Sequence, residues 1–270
     1  MNYGDKMYEF INNTMRKAAE IMLEADDISS KVKVKPGDAN FVTAYDVAVE
    51  KYLTEELTKQ LPDASVIGEE EAAENTSALK GGLYFIIDPI DGTTNFIYGR
   101  RYSAISVGLC DRGDMVYGAI FNPYADRLYF AERGRGAFMT VKNKDTDKLS
   151  VQDKPLSKCL AAFGTSPYQR ERFGYATFDT AYKMFMRTLD IRRSGAASLD
   201  LASVASGTID IFFEYSLSPW DFAAGSIIVE EAGGIITDMK GQKLDFTHPS
   251  SVLCGNRQAH EEWLCEIRDM

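Results

Sequence analysis

Asp88-Pro89-Ile90-Asp91-Gly92-Thr93-Thr94-Asn95-Phe96 is the stretch from which the fold and chemistry of this 270-residue chain are read. It follows the apolar run Leu83-Tyr84-Phe85-Ile86-Ile87, which is rich in aromatic and β-branched residues and lies between Gly81-Gly82 and Pro89, so a short buried strand is predicted. Asp88 then stands at the carboxyl end of that strand. Pro89 has no amide for a ladder and pre-sets a turn, so pairing is expected to stop there, and Gly92 lets the backbone come close to a ligand. Asp88 and Asp91, three residues apart with the Ile90 carbonyl between them, offer only hard oxygen donors, a set that suits magnesium rather than zinc. Alone, an Asp-x-x-Asp pair more often caps a turn and a helix.

Upstream, Met7, Phe10, Ile11, Met15, Ala18 and Met22 fall on one face of a helix over residues 3–26. A lysine-rich connection, residues 29–38, contains Pro36 and Gly37 and reads as a loop or short hairpin able to close over a phosphate, or as a solvated link. Phe41 to Asp46 leads into a second helix marked by Val49, Tyr52, Leu53 and Leu57, with Asp46 near its start, where capping alone would explain it. Ser65-Val66-Ile67 predicts a strand that ends in Gly68-Glu69-Glu70-Glu71. Downstream, residues 104–109 and 115–121 form a predicted hairpin around Asp111-Arg112-Gly113-Asp114, and residues 127–130 and 136–139 continue it. The polar stretch 141–158 is the expected junction between an N-terminal α+β half, 1–150, and a C-terminal α/β half, 151–270, of one compact unit. That second half reads as strands at 160–164, 191–193 and 209–215, with helices at 173–189, 196–206 and 218–232. Ser218 is the N-cap of the last helix and Asp221 its third residue, again a capping position.

The nine-residue string, Gly68-Glu69-Glu70, Arg192-Arg193-x-Gly195 and Trp220-Asp221-Phe222-Ala223-Ala224-Gly225 with Glu231-Ala232-Gly233-Gly234 recur in order. Together they resemble the signatures of the inositol monophosphatase family of metal-dependent sugar phosphatases, along the whole chain. The resemblance implies a layered α/β/α/β/α sandwich of the fructose-bisphosphatase and inositol monophosphatase kind, an α/β fold of α+β type. It also implies a homodimer, lithium sensitivity and two or three magnesium ions per site. By the family pattern Glu69, Asp88 and the Ile90 carbonyl hold one ion and Asp88, Asp91 and Asp221 a second, with Glu69 helping a third. Thr93, with Asp46 and Glu69, is implied to orient a metal-activated water. The amides of Gly92 and Thr93, with Asp91, are expected at the phosphate, and Gly195, Ala196, Ala197 and Glu214 at the rest of the substrate. Gly195-Ala196-Ala197 departs from the pattern, because many members carry Ser or Thr there.

The chemistry agrees with such a site. A phosphate monoester is dianionic near neutral pH, and a carboxylate cluster can bind it only after collecting divalent cations. A small phosphate ester, inositol monophosphate or a similar polyol phosphate, is therefore the expected partner. Fructose 1,6-bisphosphate and 3′-phosphoadenosine 5′-phosphate are the alternatives on the same fold. Nucleotidase relatives usually carry a charged residue after Asp-Gly-Thr, whereas Thr94-Asn95-Phe96 follows here. A non-catalytic regulatory protein is a third reading, disfavoured by the complete carboxylate set, and no loop has calcium-loop spacing.

Composition narrows the classes further. The formal net charge of −10 opposes nucleic acid and anionic membranes, and the paired arginines at 100–101 and 192–193 are too isolated to form a basic patch. The N-terminus lacks a signal-peptide pattern and no stretch reaches the length of a membrane span, so a cytoplasmic protein without a membrane partner is expected. Cys110, Cys159, Cys254 and Cys265 are widely spaced, which argues against a zinc site or a disulfide framework. With only His248 and His260 present, catalysis must lean on carboxylates.

Overall fold

The computed structural model describes residues 4–35, 41–70, 81–141 and 146–268. Residues 36–38 of the lysine-rich connection and Glu71 lie outside the described residues. Helix α1 (Gly4–Leu23) buries Met7, Ile11, Met15, Ala18 and Met22, the predicted face, with Phe10 at its margin. Strands β1 (Val32–Val34) and β2 (Phe41–Thr43) pair antiparallel and lead into α2 (Ala44–Gln60), which buries Val49, Leu53 and Leu57.

Next come β3 (Ala64–Gly68), β4 (Leu83–Asp91), the short helix α3 (Thr93–Ile97), β5 (Ala104–Asp111), β6 (Asp114–Asn122), β7 (Arg127–Glu132), β8 (Gly136–Val141) and β9 (Asp147–Lys148). They form a seven-stranded sheet in sequence order, parallel at β3–β4 and antiparallel elsewhere. The β5–β6 turn uses Arg112 at φ 52° and Gly113 at φ 89°, both in the left-handed region that a tight hairpin demands.

One expectation is corrected here. Pairing does not stop at Pro89, because β4 continues to Asp91 through a bulge. Asp88 faces Ser106 and Asp91 faces Ala104, three steps on β4 against two on β5. A bulge leaves its extra residue unpaired, so the missing proline amide costs no ladder bond. In a regular strand residues three apart point to opposite faces, and the extra residue brings both carboxylates to one side.

The remaining elements are β10 (Leu160–Phe163), α4 (Arg170–Arg187), β11 (Asp190–Arg192), α5 (Ala197–Ala205), β12 (Ile211–Leu217), α6 (Pro219–Glu231), β13 (Ile235–Thr237), β14 (Ser250–Gly255) and α7 (Arg257–Arg268). Their five-stranded sheet runs β11-β10-β12-β14-β13, with β10 parallel to both neighbours.

Strand alternation sorts the core into layers. Phe85 and Ile87 pack toward α1 and α2, whereas Ile86 faces Leu201 and Phe222 of α5 and α6. On the second sheet Phe212 points to that same central helix layer, and Phe213 points outward to Met184 of α4 and Trp263 of α7. The order is therefore α1/α2, seven strands, α5/α6, five strands, α4/α7, the α/β/α/β/α sandwich expected. Helix α6 is buried almost all round, from Phe222 to Val229, which fixes Asp221 at its start. Among the described residues no helix is long and apolar enough to cross a membrane. Cys110, Cys159 and Cys254 are buried and Cys265 exposed, all as free thiols.

Candidate active site

A cleft of about 300 Å³ opens where the end of β4 meets the starts of α5 and α6 and the ends of β10, β11 and β12. Glu69, Asp88, Ile90, Asp91, Gly92 and Thr93 form one wall, and Gly195, Ala196, Ala197, Glu214 and Asp221 the other. Carboxylate oxygens of Asp88, Asp91 and Asp221 lie within 4.8 Å of one another. Asp46 stands behind this group, linked to it through Thr93, whose hydroxyl lies 3.3 Å from Asp46 Oδ1 and 3.1 Å from the Ile90 carbonyl.

Asp46, Asp88 and Asp221 each spend one oxygen on the fold, and Asp91 spends both. Asp46 Oδ2 caps α2 by accepting from Thr43 N at 2.8 Å and from the Thr43 hydroxyl, which leaves Oδ1 for Thr93. Asp88 Oδ1 accepts from Ile90 N at 3.0 Å across the bulge. Asp221 Oδ2 accepts from Ser218 N at 2.7 Å at the N-terminus of α6. Asp91 is held most firmly, Oδ1 by Ala197 N at 3.1 Å and Oδ2 by Ser198 N at 2.8 Å and by the Ser198 hydroxyl. The cap readings of Asp46 and Asp221 are thus true without exhausting these residues.

The amides of Ala196 and Ala197 are already engaged, Ala196 N with Ser194 Oγ at 3.2 Å and Ala197 N with Asp91, so these residues present apolar surface to the cleft. Gly92, at φ 83°, is a close-approach glycine, since a Cβ there would sit 3.1 Å from both Ala196 Cβ and the Gly195 carbonyl. Asn95 ties α3 to the segment before α5 by donating to Tyr102 O at 2.8 Å and to Ser194 O at 3.1 Å. Glu214 Oε1 accepts from Ser166 N at 2.8 Å and from Ser166 Oγ at 2.9 Å. Lys35 Nζ pairs with Glu69 at 2.9 Å and with Glu70 at 2.7 Å.

The motifs do not reveal several cleft residues. Ser198 supplies a hydroxyl next to the Gly195-Ala196-Ala197 segment that lacks one, a displacement visible only once α5 is seen to cap Asp91. Tyr168 and Asp200 also line the cleft, as does Arg193, which stands in a quoted motif without a role assigned to it. The lysine-rich composition of residues 29–38 was the sole signal for Lys35.

Burial raises Asp88 and Asp221 well above the ordinary carboxylate range, and the surrounding negative charges, Glu69 and Asp91 foremost, add to it. Asp91 is pushed up to about 6 by burial despite its Ser198 and Ala197 donors. Asp46 reaches about 6 and Glu214 about 7, again through burial. Burial likewise suppresses the acidity of the Tyr168 phenol, with Asp221, Glu214, Glu69 and Asp88 adding to the effect. Among the described residues none of Asp88, Asp91 and Asp221 forms an ion pair with a lysine or arginine. A compact set of hard oxygens, like-charged and without a counterion, is what a divalent cation would stabilise, so the residues present fit magnesium.

A pH dependence follows. Each acid has a folded pKa above its unfolded value, so the native state binds more protons than the unfolded chain. The stability these groups contribute without metal is full below the unfolded value of 3.8 and is lost as pH rises through about 6 for Asp91. Magnesium should oppose that loss. At a hundredfold excess over Kd it should add ~2.7 kcal/mol, about 5–10 °C in Tm for a chain of this size. The increment should be larger at pH 7.5 than at pH 5 in melting curves with and without magnesium. Equal increments at both values would contradict the assignment.

The model of the inositol monophosphatase family matches residues 4–270. An inositol-1-monophosphatase of Rhizobium meliloti is 40% identical over 221 residues, 82% of this chain and 80% of that protein. A protein named Nus factor SuhB, from Pseudomonas aeruginosa, is 33% identical over 94% of this chain and 92% of its own length. The solved Thermotoga maritima IMPase superposes with a TM-score of 0.82 at 29% identity, covering 98% of this chain and 97% of that one.

Proposed function

The chain belongs to the inositol monophosphatase family, and on that premise we propose that it hydrolyses inositol monophosphate or a similar small polyol phosphate with magnesium as cofactor. The observation that carries this reading is the convergence of Asp88, Asp91 and Asp221, from distant parts of the chain, on one cleft that Glu69 and Thr93 also line. Magnesium held by Glu69, Asp88, the Ile90 carbonyl, Asp91 and Asp221 would neutralise the phosphate and acidify an attacking water. Thr93 donates its hydroxyl proton to Asp46 or to the Ile90 carbonyl and keeps its lone pairs to hold that water. The first amides of α3, at Gly92 and Thr93, have no partner in the preceding turn and are the donors proposed for the phosphate. Glu214, fixed by Ser166, stands where it can accept from a substrate hydroxyl.

The test is phosphate release with magnesium from inositol 1-phosphate, glycerol 2-phosphate, fructose 1,6-bisphosphate and 3′-phosphoadenosine 5′-phosphate, compared by kcat/KM. Inositol 1-phosphate should rank first, and lithium should inhibit its turnover without competing with it, since an ion of half the charge stabilises phosphate and leaving group less. A regulatory role, for which the Nus factor name of a relative speaks, would be preferred if no ester were cleaved.

We infer that the protein is a homodimer joined through α4. Tyr175, Phe178, Tyr182 and Phe185 repeat at spacings of three and four along its outer side, and Leu189 follows just past its end, with Tyr175 89% exposed and Leu189 66%. So large an apolar stripe marks an interface. Light scattering should give twice the chain mass for the wild type and the single-chain mass for Phe178→Glu; a monomeric wild type would refute the inference.

A further inference from the structure

We propose that Tyr168 reads the alcohol half of the substrate, its phenol hydroxyl donating a hydrogen bond to a hydroxyl of the polyol. The proposal rests on the phosphatase reading above and adds a residue that no motif supplies. Tyr168 sits on the single turn of 3-10 helix Pro167–Gln169 between β10 and α4, and it lines the cleft beside Glu214, Trp220 and Asp221.

Its placement is held from two sides. Ser166, in the left-handed region at φ 37°, directs both its amide and its hydroxyl to Glu214, and the same hydroxyl lies 2.7 Å from Ser216 O. Gln169 N closes the turn on Ser166 O at 2.8 Å. The turn that carries Tyr168 is therefore clamped to the strand that carries Glu214. A backbone conformation that an L-residue rarely adopts is maintained here by the Ser166 amide, by its one hydroxyl proton, which Glu214 and the Ser216 carbonyl share, and by the Gln169 amide.

The chemistry of the wall selects the ligand. Thr93, across the cleft, is committed to Asp46 and the Ile90 carbonyl, and Thr165 accepts from Arg193 Nη2 at 2.9 Å. The Tyr168 hydroxyl has no hydrogen-bond partner among the described residues. A phenol hydroxyl can donate, and Glu214, whose Oε1 already accepts from Ser166, keeps lone pairs on Oε2 to accept again. A donor on the clamped turn and an acceptor on the strand it is clamped to match a neutral alcohol, which can accept from Tyr168 and donate to Glu214 in the same pose. A phosphate offers acceptors only and is drawn to the other wall.

The test is Tyr168→Phe, which keeps the ring and removes the hydroxyl. With inositol 1-phosphate kcat/KM should fall roughly tenfold, mostly through KM, because one hydrogen bond to the bound polyol is lost. With 4-nitrophenyl phosphate, whose alcohol half has no hydroxyl to read, it should stay within about twofold of wild type. The magnesium-dependent rise in Tm should be unchanged. Binding is measured separately by calorimetry with calcium in place of magnesium. The Kd of inositol 1-phosphate should rise about tenfold and that of inorganic phosphate should not move. Equal losses on both esters, or no loss on either, would overturn the proposal. A wild type that cleaves neither ester would refute the phosphatase reading, and the calorimetric comparison would still decide Tyr168.

Discussion

Asp88→Asn is expected to lower kcat/KM by about 1,000-fold or more, to erase the magnesium-dependent rise in Tm, and to raise the Tm measured without metal. The first effect follows from removing a charged ligand at the centre of the set, a loss of ~4 kcal/mol of electrostatic stabilisation in the transition state. The last follows from the surroundings of Asp88, which is 1% exposed and feels Glu69, Asp91, Asp221 and Asp46. Asparagine keeps an oxygen for Ile90 N, so the bulge survives and the buried repulsion is relieved. Asp91→Asn is a poorer probe. Both Asp91 oxygens accept from the start of α5, and an amide nitrogen facing Ser198 N would break that cap and blur a metal effect with a folding effect. Phosphate release across a magnesium series, with melting curves in parallel, decides the matter. Near-wild-type turnover at saturating magnesium would remove Asp88 from the metal set.

The same division of oxygens explains how far the site could be read from sequence. Asp46 and Asp221 occupy helix-capping positions, and a rule for caps finds them correctly while leaving their second oxygens unassigned. The family motif then names a use for the oxygen that the cap leaves over. Amphipathic helices such as α1 were legible because one buried face imposes a period of 3.6 residues. The extent of β4 was not legible, because Pro89 normally ends a ladder and only the partner strand shows that a bulge admits it. Tyr168 was hidden for a different reason, and Arg193, though quoted in a motif, had no assigned place in the site. They lie on loops after β10 and β11 whose meeting with β4 is decided by the order of strands in the second sheet, and no local pattern encodes that order. Ser198 stands between these cases. Its hydroxyl is one residue from a segment already marked as lacking one, yet its use depends on the angle at which α5 meets Asp91.

Thr93→Ala should lower kcat about 100-fold while leaving KM within about threefold, the pattern of a group that orients the attacking water and adds little to ground-state binding. The geometry gives the hydroxyl two acceptors, Asp46 Oδ1 at 3.3 Å and the Ile90 carbonyl at 3.1 Å, and one proton to share between them. Either bond leaves lone pairs pointed away from the donor direction, available to a water in the cleft. On the proposed reading Asp46 would be a positioning residue, acting on the reaction through Thr93. Asp46→Ala alone should lower kcat by a comparable factor, because the carboxylate that fixes the hydroxyl is removed. It should also weaken α2, since the same side chain accepts from Thr43 N. The double variant separates the two roles. If Asp46 works through Thr93, then kcat of Thr93→Ala with Asp46→Ala should be close to that of Thr93→Ala alone, whereas the loss of Tm from the weakened cap should appear in full. Multiplicative losses in kcat would show that Asp46 reaches the reaction by another route, and a change confined to KM would reassign Thr93 to substrate binding.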